Sequence, residues 1–139
     1  MAYKVEVKKN VALSRAKVFA ALTDFGGVAK ILPDALKSCE LVGSGIGCVR
    51  NIELADGGKV SERMDMAHNE SVFAYSITAN TALPVDNYFA CVTLADGANG
   101  STDVVWASNW TAKGAPESDI KPMLEGLYGA LLDGIAKAG

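Results

Sequence analysis

Apolar and charged residues alternate from Tyr3 to Lys9, with Tyr3, Val5 and Val7 set against Lys4, Glu6 and Lys8. A period of two predicts a half-buried strand. The period then lengthens. Ser14 is placed to cap a helix over Arg15 to Leu22, in which Val18, Phe19 and Leu22 share one face. Asp24-Phe25-Gly26-Gly27 breaks it, and a second short helix over about Val28 to Leu32 stops at Pro33. Six strands follow: Leu36 to Val42, Cys48 to Leu54, Lys59 to Ala67, Val72 to Ala79, Asn87 to Leu94 and Thr102 to Thr111. Gly43-Ser44-Gly45-Ile46-Gly47, Asp56-Gly57-Gly58 and Asp96-Gly97-Ala98-Asn99-Gly100 turn the chain between them, and Pro84 closes a longer connection. The spacing suits an antiparallel meander.

The end of the chain is different. Ile120, Met123, Leu124, Leu127, Tyr128, Leu131, Leu132 and Ile135 recur at helical spacing. They predict an amphipathic helix over Lys121 to Lys137, roughly 25 Å long at 1.5 Å per residue. Leu124, Leu127, Tyr128 and Leu131 are expected to face the sheet. Pro116 and Pro122 fit the entry or first turn of this helix. Gly126, Gly129 and Gly134 either permit close backbone approach or simply weaken it. The order is strand, two short helices, six strands, long helix: an α+β layer architecture, in which a sheet that curls around the helix can enclose a cavity.

Composition narrows the function classes. The 139 residues are half hydrophobic and 21% charged, a globular balance that fits one domain over 1–139. The net charge of −3 argues against a nucleic-acid binder, which needs clustered Lys and Arg. No apolar run approaches the ~20 residues of a membrane span, and the charged N-terminus is not a signal peptide. Cys39, Cys48 and Cys91 are odd in number and lack metal-site spacing, so a reducing, cytoplasmic location is expected. The sequons at Asn69, Asn99 and Asn109 then read as chance matches. His68 stands alone, and no nucleophile elbow, phosphate loop or dinucleotide fingerprint occurs. No cofactor and no metal are implied.

Several short pieces in order carry a family likeness: Val18-Phe19, Thr23-Asp24-Phe25-Gly26-Gly27, Leu32-Pro33, Lys37-Ser38-Cys39, Gly47-Cys48-Val49-Arg50, Ser61-Glu62-Arg63, Leu83-Pro84-Val85-Asp86-Asn87-Tyr88 and Gly114-Ala115-Pro116-Glu117. Together they resemble the helix-grip fold of the START and birch-pollen-allergen superfamily. Within it, the chain is most similar to the polyketide cyclase/dehydrase (SRPBCC) branch, which is related to plant abscisic acid receptors. The resemblance implies a curved seven-stranded antiparallel sheet around a long C-terminal helix, with two short helices after strand 1.

In the receptors, a lysine after the short helices contacts the ligand carboxylate, a glutamate after the gate loop holds water near the ligand, and a tyrosine after the latch loop lines the pocket. Lys37, Glu62 and Tyr88 fall at those positions. The receptor gate is replaced here by Ala55-Asp56-Gly57-Gly58-Lys59 and the latch by Leu83-Pro84-Val85. The resemblance places both loops at the cavity mouth, without the motifs used for phosphatase binding.

Strand alternation extends these positions. Lys37 pointing inward brings Cys39 with it. Glu62 inward brings Val60, Met64 and Met66; Tyr88 inward brings Ala90 and Val92. Tyr75 and Ile77 share a register, as do Val104, Trp106, Ser108 and Trp110, and Arg50, Ile52 and Leu54. The expected ligand-binding set is Lys37, Arg50, Ile52, Leu54, Glu62, Met64, Tyr75, Ile77, Leu83, Val85, Tyr88, Ala90, Trp106, Ser108, Leu124 and Tyr128. An apolar wall with scattered polar groups suits an amphipathic or aromatic small molecule, polyketide-, lipid- or hormone-like. The plainer alternatives are ordinary core for Met64, Met66, Tyr75 and Trp106, a solvated surface lysine for Lys37, and a structural Lys37–Glu62 pair.

Two functions follow. The first is a binding protein for such a molecule. The second is a cofactor-free polyketide cyclase, dehydrase or lyase, in which Lys37, Glu62 and Tyr88 remove a proton beside a carbonyl and stabilise the enolate. Arg50 is the alternative carboxylate anchor. The expected partner is the small ligand or substrate, with no nucleic acid and no membrane span; a homodimer stays open.

Overall fold

The computed structural model describes residues 2–139. Strand β1 (Val5–Val11) leads into α1 (Arg15–Thr23), a single 3-10 turn (Phe25–Gly27) and α2 (Val28–Ile31). Six strands follow: β2 (Leu36–Val42), β3 (Val49–Leu54), β4 (Lys59–His68), β5 (Val72–Asn80), β6 (Val85–Asp96) and β7 (Thr102–Ala112). The chain ends in the 22-residue helix α3 (Glu117–Ala138). All strand pairs are antiparallel, in the order β1-β7-β6-β5-β4-β3-β2. The seven-stranded sheet curves around α3 in the helix-grip arrangement.

Local chemistry accounts for most boundaries. Ser14 caps α1, its hydroxyl accepting the Lys17 N–H at 3.3 Å. Gly57 turns the β3–β4 hairpin at φ +93°, a conformation other residues adopt only with strain. The strand predicted from Tyr3 starts instead at Val5, where pairing with β7 begins opposite Ser108. Helix α3 begins at Glu117, four residues before the predicted start at Lys121, with Pro116 as cap residue. Pro122 therefore lies in the second turn rather than the first. It removes the bond to the Ser118 carbonyl, which solvent can take up because Ser118 is exposed.

The core lies between α3 and the concave face of the sheet. Ile120, Leu124, Tyr128, Leu132 and Ile135 are at most 1% exposed, and each such side chain contributes about 1.5–3 kcal/mol by burial. Leu124, Tyr128 and Leu131 are buried as expected, while Leu127 is half-buried. One glycine of α3 makes a close approach. A Cβ at Gly134 would lie 2.3 Å from the Ile31 carbonyl oxygen, so α2 packs directly on the helix backbone there. Gly126 and Gly129 face open space.

Bulges decide which side chains reach the interior. On β2, Leu36 pairs with Leu54 but Ser38 with Glu53, so Lys37 is an extra residue. On β4, Met64 pairs with Tyr75 and Met66 with Ala74, which makes Asp65 extra. On β6, the register slips between Asp86 and Phe89, where Asn87 takes φ +53°. Each bulge reverses the inward phase of the residues beyond it.

Candidate functional site

A cavity of about 370 Å³ lies among α1, α2, the concave sheet and the C-terminal half of α3. Leu22, Val28, Ile31, Leu32 and Leu36 close one side, and Leu127, Leu131 and Ile135 of α3 another. Ile52, Leu54, Val60, Phe73, Tyr75, Tyr88 and Trp106 come from the sheet. Phe25, Phe73, Tyr75, Tyr88, Trp106 and Tyr128 form a continuous aromatic run with ring centroids 5.3–6.3 Å apart.

One buried ion pair sits in this wall. Arg50 and Glu62 face each other across β3 and β4 and are 7% and 8% exposed. Arg50 Nε donates to Glu62 Oε1 at 2.7 Å, and Nη2 stands 2.7 Å from the same oxygen. Nη1 donates to the Phe25 carbonyl at 3.2 Å. The guanidinium carbon lies 3.9 Å from the Phe25 ring centroid and 5.5 Å from that of Tyr75. Arginine suits this place because its planar head can stack on a ring while its edge holds a carboxylate. The charge of Arg50 is already matched within the protein.

A chain of hydroxyls runs from the cavity into the core. Tyr75 and Tyr88 hydroxyls lie 3.1 Å apart, Tyr88 bonds Tyr128, and Tyr128 donates to Ser108 Oγ at 2.7 Å. Burial raises the pKa of all three tyrosines: Tyr75 and Tyr88 well above the usual phenol range, Tyr128 up to about 12. All three are neutral at ordinary pH. Burial likewise pushes the Cys39 thiol up.

Of the expected residues, Arg50, Ile52, Leu54, Glu62, Leu83, Tyr75, Tyr88 and Trp106 line the cavity. Lys37 does not. Its side chain is 67% exposed and its ammonium pairs with Glu53 at 3.3 Å, so Lys37 and Glu62 do not share a cavity. The bulge is the reason: Lys37 is the looped-out residue, while Leu36 and Cys39 take the inner face. Met64, Val85, Ala90, Ser108, Leu124 and Tyr128 are buried in the core without lining the cavity, and Ile77 packs half-buried beside it. Met66, expected inward, is 44% exposed because of the β4 bulge. Ala55, Asp56 and Leu83 reach the cavity from the two connecting loops, whereas Lys59 and Pro84 do not. The loops touch: a Cβ at Gly58 would lie 2.7 Å from the Ala82 Cβ.

Phe73 and the α1–α2 residues went unassigned in the sequence. So did the Arg50–Glu62 partnership, although both residues are equidistant from Asp56, the centre of the hairpin turn, and that symmetry marks them as partners. Among the described residues no group of His, Cys, Asp and Glu is placed to hold a metal ion, and no helix is long and apolar enough to cross a membrane.

The family model described as polyketide cyclase / dehydrase and lipid transport matches residues 2–139. No curated protein matches the chain. Among solved structures, the protein XoxI from Bacillus cereus superposes with a TM-score of 0.82 at 23% identity, covering 99% of this chain and 95% of that one. Norcoclaurine synthase from Thalictrum flavum, in complex with dopamine and hydroxybenzaldehyde, gives 0.79 at 18% identity over 96% and 84%. Ara h 8.0201 gives 0.79 at 21% identity over 96% and 94%. At these identities the likeness is one of fold.

Proposed function

The chain belongs to the polyketide cyclase/dehydrase and lipid-transport family, and on that premise we propose that it binds a small amphipathic molecule with an aromatic or aliphatic body between the sheet and α3. One observation carries this reading: a cavity of about 370 Å³ whose wall is aliphatic and aromatic apart from a few polar groups. Such a wall favours apolar bodies by burial, at about 25 cal/mol for each Å² removed from water. The polar groups then orient the ligand. The catalytic alternative, proton removal by Lys37, Glu62 and Tyr88, has less support. Lys37 is outside the cavity, Glu62 is held by Arg50, and Tyr88 keeps its proton.

The test uses the neutral fluorophore N-phenyl-1-naphthylamine. It should bind at one molecule per chain, with its emission enhanced and blue-shifted. Leu127→Trp, which fills the cavity from a half-buried position on α3, should abolish the signal while leaving the circular dichroism spectrum intact. Binding that is unaffected by Leu127→Trp would place the ligand elsewhere and refute the reading.

A further inference from the structure

We infer that the cavity selects a ligand bearing an ammonium or another hydrogen-bond donor, and discriminates against the carboxylate of the same body. This rests on the binding function proposed above and adds the polarity of the ligand.

Two independent features carry it. The first is charge. The side chains lining the cavity include three carboxylates, Asp24, Asp56 and Glu62, against one cation, Arg50. Arg50 is matched by Glu62, the Phe25 carbonyl and two aromatic faces. Lys37 is turned away to Glu53. Lys30 stands 4.0 Å from Asp24, but its side chain is 81% exposed, where solvent screens it. An entering carboxylate would meet Asp24 and Asp56 at the rim and find no uncommitted cation inside. Glu62 is 8% exposed, and both Arg50 contacts fall on its Oε1. Oε2 receives no hydrogen bond among the described residues. Nor is it sealed in, because the buried side-chain polar atoms without partners there are the indole nitrogens of Trp106 and Trp110. Oε2 is a buried acceptor open to a donor from the cavity.

The second feature is the direction of the hydroxyl chain. Each phenol has one proton to give. Tyr128 gives its proton to Ser108, so Tyr88 must give its own to Tyr128, and Tyr75 must give its own to Tyr88. The chain donates away from the cavity. Its open end is the Tyr75 oxygen, which can only accept. Glu62 Oε2 and the Tyr75 oxygen thus present acceptors, and the rim carboxylates present negative charge.

Three probes with one body test this: 4-phenylbutylamine, 4-phenylbutanol and 4-phenylbutyrate, titrated at low salt by calorimetry. The amine should bind at least tenfold more tightly than the carboxylate, with the alcohol between. Asp24→Asn and Asp56→Asn, both at exposed positions, should together cut the amine-to-carboxylate ratio at least threefold. Glu62→Gln should lower amine affinity further, but its fold must first be verified because it weakens the pair with Arg50. Tight binding of all three in equal or reversed order overturns the inference and leaves the cavity reading standing. An amine preference indifferent to the rim substitutions also overturns it. Uptake of none overturns the binding function and this inference with it.

Discussion

Glu62→Leu should be among the most damaging single substitutions in this protein, and Arg50→Met/Glu62→Leu should largely repair it. The single change leaves a guanidinium that is 7% exposed beside apolar rings with no counter-charge. Removing one partner of such a pair costs about 3–5 kcal/mol. The double change removes both charges. Replacing a buried pair by apolar side chains of similar size is neutral or stabilising by about 1–4 kcal/mol. Against that, the Phe25 carbonyl loses its Arg50 donor, at about 1–3 kcal/mol. The two terms nearly offset, so the double variant should lie close to the original stability. Urea unfolding followed by circular dichroism at neutral pH measures both. A loss below about 1 kcal/mol for Glu62→Leu would mean that the charge is not buried as described. A double variant as unstable as the single would mean that packing, not charge pairing, is what these side chains supply.

Three further outcomes follow from the same geometry. Lys37→Met should change stability and ligand affinity by no more than about 0.5 kcal/mol, because the ammonium is solvated; a tenfold loss of affinity for N-phenyl-1-naphthylamine would return Lys37 to the site. Gly134→Ala should destabilise by about 1–3 kcal/mol through its clash with the Ile31 carbonyl, whereas Gly126→Ala and Gly129→Ala should stabilise by up to about 1 kcal/mol, and equal effects at all three in thermal melts would contradict the close approach of α2. At high pH, a tyrosine whose pKa is raised on folding keeps its full contribution below the phenol's unfolded value, near 10, and loses it as pH rises through the folded one. Tyr128, raised to about 12, should therefore withdraw about 3 kcal/mol between roughly pH 10 and 12. Tyr128→Phe should make that limb shallower in pH-dependent urea titrations, the rest of the slope coming from Tyr75 and Tyr88, whose phenols burial also raises, and an unchanged slope would refute it.

The order of elements was legible because it rests on local patterns. The Asp56-Gly57-Gly58 turn, the Ser14 cap and the period of α3 are each contained within a few neighbouring residues. So was the family likeness, carried by short pieces in sequence order, and with it the helix-grip arrangement. The inward positions of Arg50, Ile52 and Trp106 also followed from simple alternation, since each lies in an uninterrupted stretch of ladder beside its partners; Glu62, Tyr75 and Tyr88 face inward as expected although each borders or lies within a register shift. Alternation failed at Lys37 and Met66. Each of these lies at or beyond a bulge, and a bulge is a property of two strands in register, not of one strand's residues. Only the folded sheet determines where an extra residue is looped out. The same holds for the hydroxyl chain. Tyr88, Tyr128 and Ser108 come from β6, α3 and β7, and they meet only when the helix is laid across the sheet. The charge of the cavity was decided there too. Whether Lys37 faces the ligand space depends on one residue of register on β2, because successive side chains on a strand point to opposite faces.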